Sequence, residues 1–327
     1  MTFPIKEVPE WYVLDSSKSD TFDDCRRLYF YTHILGWRSE TPMHDAYFGE
    51  SWHKSREYML LHGYDDIEGA YRAFLKHYRL KFPEETDELY RPKNPEAAFL
   101  GIFNFSNNEE RRHDLERNKV LFTEISGTVP IDERRILHFR MDSILENIET
   151  GMIFSWDHKS TKSFSRFWRD TFFLCTQNFT YTHCLYCMYP VERVKGVEFC
   201  GASFEFLSRN SKIRKAGYHV NFERVPAWKT PEQMNASLWD TIDRYNELER
   251  EMDRLSHCTE GDTVLQCFPK NTRSCTKYYG CAFHDFCMSW GNPLQRAFGP
   301  PIGFIEEYWD PRKLDATHKM TLEWRKE

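Results

Sequence analysis

The chain has 327 residues, 40% hydrophobic and 29% charged, with a formal net charge of −6. That is the profile of a soluble globular protein with room for one large domain or two ordinary ones. It carries no apolar run long enough to cross a bilayer. Met1–Glu10, with two prolines and mixed charges, lacks the pattern of a secretory signal, so the expected compartment is the cytoplasm. Thiols stay reduced there, so the ten cysteines are expected as core residues or metal ligands and not as five disulfides. The acidic balance weighs against a nucleic-acid partner only in bulk, because phosphate binding needs a local basic groove; Arg209, Lys212, Arg214 and Lys215 are one candidate patch.

The first third reads as helical. A Ser/Asp-rich start, Ser16–Asp20, precedes Phe22, Leu28, Tyr29 and His33. A helix is expected from about Tyr64 to Tyr78, ended by Lys81-Phe82-Pro83. Asn107–Asn118 is almost wholly polar and reads as an exposed helix. From Val120 the character changes. Val120–Val129, Arg135–Leu145 and Met152–Asp157 read as strands, separated by Pro130-Ile131-Asp132 and Glu149-Thr150-Gly151. An aromatic-rich helical segment follows, Phe164–Tyr189, then strands Val197–Leu207 and Tyr218–Val225. A long polar helix over Pro231–Ser256 leads to a tail, from Cys258, rich in Cys, Gly and Pro. The pattern is mixed α/β with a central sheet. Three regions are distinguishable: a helical one over 1–118 with Cys25 and His53, a core over 119–256, and a cysteine-rich one over 257–327. No linker separates them, so one integrated domain is expected.

The strongest chemical signal is the hairpin around Gly151. Its strands carry Phe139-Arg140-Met141-Asp142 and Trp156-Asp157-His158-Lys159. With the turn centred between Glu149 and Thr150, facing residues sum to 299, so Asp142 faces Asp157. Directly opposed side chains lie within about 5.5 Å at Cβ, close enough to share a divalent ion. Lys159, two residues after Asp157, projects from the same face. Two carboxylates and an ammonium on one face suit Mg²⁺ or Mn²⁺: the ion would polarise a phosphate and acidify water, and Lys159 would orient that water or stabilise the phosphorane.

Three companions extend the pattern. Tyr47-Phe48-Gly49-Glu50-Ser51-Trp52-His53 lies in the helical region, Glu124 in the strand before the hairpin, and Gln177-Asn178-Phe179-Thr180-Tyr181 in the following helix, with Gln177 and Tyr181 on one face. In this order the residues resemble the RecB-type branch of the PD-(D/E)XK nucleases, which includes CRISPR-adaptation Cas nucleases and phage-encoded exonucleases. Over roughly Phe22–Tyr189 the order matches an F-G-x-x-x-H helix, a strand Glu, a G-x-x-D strand, a (D/E)-x-K strand and a Q-x-x-x-Y helix. The resemblance implies a restriction-endonuclease-like core. It implies metal ligation by His53, Asp142 and Asp157, a metal or outer role for Glu124, catalytic assistance from Lys159, and DNA-backbone contacts or ordering of the site by Gln177 and Tyr181. Phe139 departs from the family glycine, and Asp157 stands for the commoner glutamate.

The tail reads Cys275-Thr-Lys-Tyr-Tyr-Gly-Cys281-Ala-Phe-His-Asp-Phe-Cys287. Three thiolates leave a metal centre one ligand short. In the resembled branch a lone early cysteine, here Cys25, completes a [4Fe–4S] cluster. The C-x₅-C-x₅-C spacing departs from the branch's C-x₂-C-x₅-C, which keeps zinc open, and Cys258 and Cys267 are rival ligands. Cys184-Leu-Tyr-Cys187, Cys175 and Cys200 read as core packing.

The function implied is a metal-dependent deoxyribonuclease, an exonuclease on single strands or DNA ends, acting in a prokaryotic cell or phage-infected host without membrane partners. Two alternatives are a non-cleaving DNA-binding or regulatory protein that keeps the fold, and a structural metalloprotein built on the cysteine centre.

Overall fold

The structure, a computed structural model, describes residues 2–210, 214–277, 280–314 and 316–323. Helix α1 (Ser16–Asp24) begins where Asp15 accepts a hydrogen bond from the Lys18 amide at 2.8 Å, satisfying a donor the first turn cannot pair. After an extended Cys25, α2 (Arg26–Tyr29) passes into a π-helical turn over Phe30–Ile34, and β1 (Trp37–Ser39) follows. The long α3 (His44–His62) stops at Gly63, whose φ of 91° ordinary side chains rarely adopt. Helix α4 (Ile67–Tyr78) is capped by Asp66, and α5 (Pro95–Ser106) by Asn94 with proline in its first turn.

Asn107–Asn118 departs from the single exposed helix expected of it. It forms two one-turn helices, α6 (Glu109–Arg112) and α7 (Asp114–Arg117). The chain turns between them because Asp114 is buried and bound by Arg224 at 2.9 Å. Strands β2 (Asn118–Pro130), β3 (Ile136–Asn147) and β4 (Ile153–Thr161) come next. The aromatic segment is two helices, α8 (Arg166–Leu174) and α9 (Thr176–Met188). Cys175 between them is extended, and its Sγ accepts from the Asn178 amide at 3.4 Å, so it acts as an N-cap. Strands β5 (Val194–Leu207) and β6 (Gly217–Ala227), α10 (Pro231–Ser256), α11 (His284–Ser289), β7 (Phe304–Glu306) and β8 (His318–Thr321) complete the chain.

The fold is α/β, with a mixed six-stranded sheet in the order β6-β5-β4-β3-β2-β8 and helices flanking it; β1 and β7 form a separate antiparallel pair. Strands β3 and β4 are antiparallel with Ser143 opposite Trp156 and Ile144 opposite Ser155. That is the expected register, and one further step sets Asp142 against Asp157. The turn is held by Asn147, whose side-chain oxygen accepts from the Thr150 amide at 2.9 Å, and by Gly151 at φ 67°. Strand β5 runs parallel to β4. A parallel neighbour requires a crossover, and α8 and α9 supply it, which brings α9 onto β4 and β5.

The chain divides into two compact units: Met1–Thr41 with Thr128–Phe139 and Pro231–Leu314, and Pro42–Gly127 with Arg140–Thr230 and Asp315–Glu327. The second has an aromatic core including Phe48, Trp52, Phe74, Tyr78, Ile102 and Phe204. Each such fully buried side chain contributes about 1.5–3 kcal/mol relative to exposure. In the first unit Tyr31 stacks on Phe283 at 4.8 Å, and Tyr29 lies parallel to Phe268 at 6.1 Å. Among the described residues no helix is long and apolar enough to cross a membrane.

Candidate active site

All seven residues expected of the nuclease site lie in the second unit. Phe48 and Trp52 bury one face of α3, and Gly49 faces β4, where a Cβ would stand 3.4 Å from Ser160 Oγ, an ordinary contact. His53, one residue after Trp52, sets Nδ1 3.1 Å from Asp142 Oδ1. The other oxygen of Asp142 accepts from the His158 amide at 2.8 Å. Across the pair, Asp157 is almost fully buried, at 1% exposure. Its Oδ1 accepts from Gln177 Nε2 at 2.9 Å; Lys159 Nζ stands 2.7 Å from its Oδ2, and among the described residues no other donor reaches that atom.

Gln177 joins the parts. Its Oε1 accepts from Lys159 Nζ at 2.9 Å, while Nε2 reaches Asp157 and, at 2.8 Å, Tyr181 Oη. An ammonium on one side and a carboxylate on the other fix which way the amide points. Tyr181 in turn donates to the Arg140 carbonyl of β3. The Q-x-x-x-Y pair thus spans β3 and β4 from one helix face. Glu124 joins through a residue that sequence reasoning left unassigned: Arg140 Nε donates to Glu124 Oε2 at 2.9 Å. Arg140 is two residues before Asp142, so strand alternation places both on one face, and that periodicity was the available signal. Glu124 is buried and has a φ of 45°, sterically costly for a residue with a Cβ.

The two aspartates differ in character. Burial opposes charge on Asp142, yet His53 and the His158 amide outweigh it and hold the carboxyl well below the usual range. Burial raises the Asp157 carboxyl; Lys159 opposes that rise and Asp142 adds to it. Burial also works against charged His53 and Lys159, but Asp142 raises the first and Asp157 the second. Glu124 is raised by burial and by Asp142, against the pull of Arg140 and Lys54.

No protein-family model matches the chain, and no curated protein matches it.

The four cysteines of the candidate cluster all belong to the first unit. Cys25 Sγ accepts from the Asn271 amide at 3.3 Å, and the Cys281 amide donates to the Cys275 carbonyl at 3.0 Å. Burial raises the Cys281 thiol, and Cys275 and Cys25 lie near enough to add to the rise; Cys287 is raised by burial, with Cys281 and Cys25 again contributing. Among the described residues no group of three or more His, Cys, Asp or Glu is gathered as a ready metal cage. The rivals Cys258 and Cys267 are buried together, Sγ to Sγ 3.8 Å. Cys184 is buried in α9 and Cys187 half-buried, its thiol pushed up to about 11 by burial. In the basic run, Arg214 pairs with Glu205 at 2.6 Å, and Lys212 lies outside the described residues.

Proposed function

We propose that the protein is a metal-dependent deoxyribonuclease of the PD-(D/E)XK type. The observation that carries this reading is the facing pair Asp142 and Asp157, with Lys159 held on Asp157 by Gln177. The residues fit a hard divalent cation. A buried carboxylate faces a partly buried one, and among the described residues Asp157 Oδ2 is reached by an ammonium alone. Asp142 and Asp157 would hold Mg²⁺ or Mn²⁺, with His53 and Glu124 beside them. The bound ion would polarise the scissile phosphate and lower the pKa of a water.

The protein's own groups do the rest. His53 and the His158 amide favour the ionised form of Asp142, which suits it to act as a ligand without giving up a proton. Lys159, held on both sides, presents its charge where the phosphorane develops and can orient the attacking water. Gln177 keeps that ammonium aimed, and Tyr181 ties α9 to β3, so the two carboxylate strands and the lysine keep one geometry. Backbone contacts by Gln177 and Tyr181 would position the phosphate without reading bases, so cleavage is expected to be nearly independent of sequence. In the first unit Cys25, Cys275, Cys281 and Cys287 would hold the [4Fe–4S] cluster, with zinc as the other occupant of the same thiolates.

A free DNA end is the preferred substrate in this reading. The test incubates purified protein with end-labelled linear and closed circular single strands of one sequence, in Mg²⁺, Mn²⁺ or EDTA. Metal-dependent loss of linear strands alone supports an exonuclease. Equal loss of circles makes it an endonuclease, and no loss in either metal leaves the non-cleaving DNA-binding protein as the better reading.

A further inference from the structure

On the α3 side of β4 lies a second cluster of charge. Strand alternation sends the His158 side chain to the face opposite Asp157 and Lys159. There it lines a small cavity with Arg56, Arg111, Arg224, Cys200 and Phe105. Arg56, three residues after His53 on α3, is 2% exposed. Its guanidinium sits 3.4 Å from the Phe105 ring centroid and donates to Met59 Sδ at 3.0 Å. No carboxylate pairs with it among the described residues, nor with Arg111. Only Arg224 is compensated, gripped by Asp114 and lying over the Trp156 ring at 4.2 Å.

The charges are unevenly paired. Three guanidiniums face the cavity, and three carboxylates stand near: Asp114 on Arg224, Glu110 beside Arg111, and Glu198, which accepts from Trp156 Nε1 at 2.9 Å. Glu223 also borders the cavity, but its carboxylate is taken by Arg169. The Cys200 thiol, pushed up to about 12 by burial, stays neutral. Arg56 alone is both buried and without a carboxylate partner among the described residues, and an unpaired buried ion is costly. A second observation is independent of charge. His158 is 3% exposed, and its Nε2 is buried without a hydrogen-bond partner, which native interiors rarely tolerate.

We propose that this cavity binds one small monovalent inorganic anion of halide size, held by Arg56 and Arg111 with His158 Nε2–H as a neutral donor. A single negative charge matches the one buried guanidinium that lacks a carboxylate, whereas a phosphate dianion would overshoot it. Occupancy fixes the His158 ring from behind, and the backbone amide of the same residue holds Asp142.

The site stands apart from any catalytic reading, so it is tested on stability. Protein exchanged into sodium gluconate, whose anion is too large for the cavity, is melted in increasing sodium chloride or bromide at constant ionic strength. A saturable rise of a few degrees in Tm is expected, because a ligand bound only by the folded state stabilises by mass action. Arg111→Gln, a change at a half-exposed position, should lose that rise while keeping its Tm in gluconate. Arg56→Met should lose it and melt no lower in gluconate, since the uncompensated charge goes with the side chain. Identical melting in gluconate and halide overturns the proposal, as does an Arg111→Gln protein that keeps the halide response.

Discussion

Gln177 Nε2 donates to Asp157 Oδ1 at 2.9 Å, across the gap between a crossover helix and the strand it follows. Because the same amide accepts from Lys159, removing it frees two charged groups at once. Gln177→Ala should therefore lower DNA cleavage about 10- to 100-fold, the usual effect of losing a partner that orients a metal-site ligand. The fold should remain, since α9 is held by buried Phe179, Cys184 and Leu185. Single-turnover cleavage beside a thermal melt checks both; an unchanged rate means the helix merely packs.

Asp142→Ala and Asp157→Ala should each abolish cleavage. Lys159→Ala should also be inactive yet still bind Mn²⁺, because it removes no oxygen ligand. Metal binding followed by calorimetry separates the classes. An Asp157→Ala protein of full activity would end the nuclease assignment.

The metal-free protein should show a stability optimum in mildly acid solution. His53 is raised in the folded state, so its contribution is whole below the ordinary value of 6.5 and lost as pH climbs through the raised value. Asp142 is depressed, so its contribution is present above the ordinary 3.8 and lost as pH falls through the lowered value. Asp157, raised, weakens the protein in the same direction as His53 when pH increases. Melting in EDTA from pH 3 to 9 should show Tm highest between those ordinary values, with a shallower alkaline decline in His53→Ala. Mg²⁺ affinity should rise over that alkaline limb, as Asp142 exchanges a protonated imidazole for the ion.

Protein purified without oxygen should carry metal on Cys25, Cys275, Cys281 and Cys287. A brown protein with iron and sulfide near about four each per chain identifies a cuboidal cluster, and colourless protein with one zinc identifies the alternative. In either case Cys281→Ser should lower Tm, because metal binding at such a site is also folding energy. A metal-free protein as stable as the loaded one would remove the centre.

Much of the candidate site was legible because strands repeat every two residues. The Gly151 turn and the alternation on either side fix which carboxylates meet, and the register follows by counting. Helix α10 was legible from end to end because a proline opens it and its polar and apolar residues alternate at helical spacing. Other features leave no such mark. Helix α5 is apolar on most sides, Ala97 to Phe105, so periodicity has nothing to contrast. Strands β1, β7 and β8 have three or four residues each, too few for a pattern. Cys175 breaks the aromatic segment without glycine or proline, by capping with sulfur. The anion cavity joins residues from α3, α5, α6, β4, β5 and β6, an assembly that exists only in three dimensions.

The hairpin turn has a further consequence, for the tolerated length of the chain. Asp142 and Asp157 are separated by a fixed count of residues through Ile148–Thr150, and the face each presents depends on that count being kept. One residue inserted in the turn would slide β4 by one position, bringing Trp156 inward where Asp157 belongs and turning both Asp157 and Lys159 to the anion side. Two inserted residues would restore the facing but carry the carboxylate past its partner by roughly 6–7 Å. An insertion after Thr161, beyond the last strand residue, moves neither. Spacing in this short turn is thus as binding a requirement for the site as the identity of the aspartates themselves.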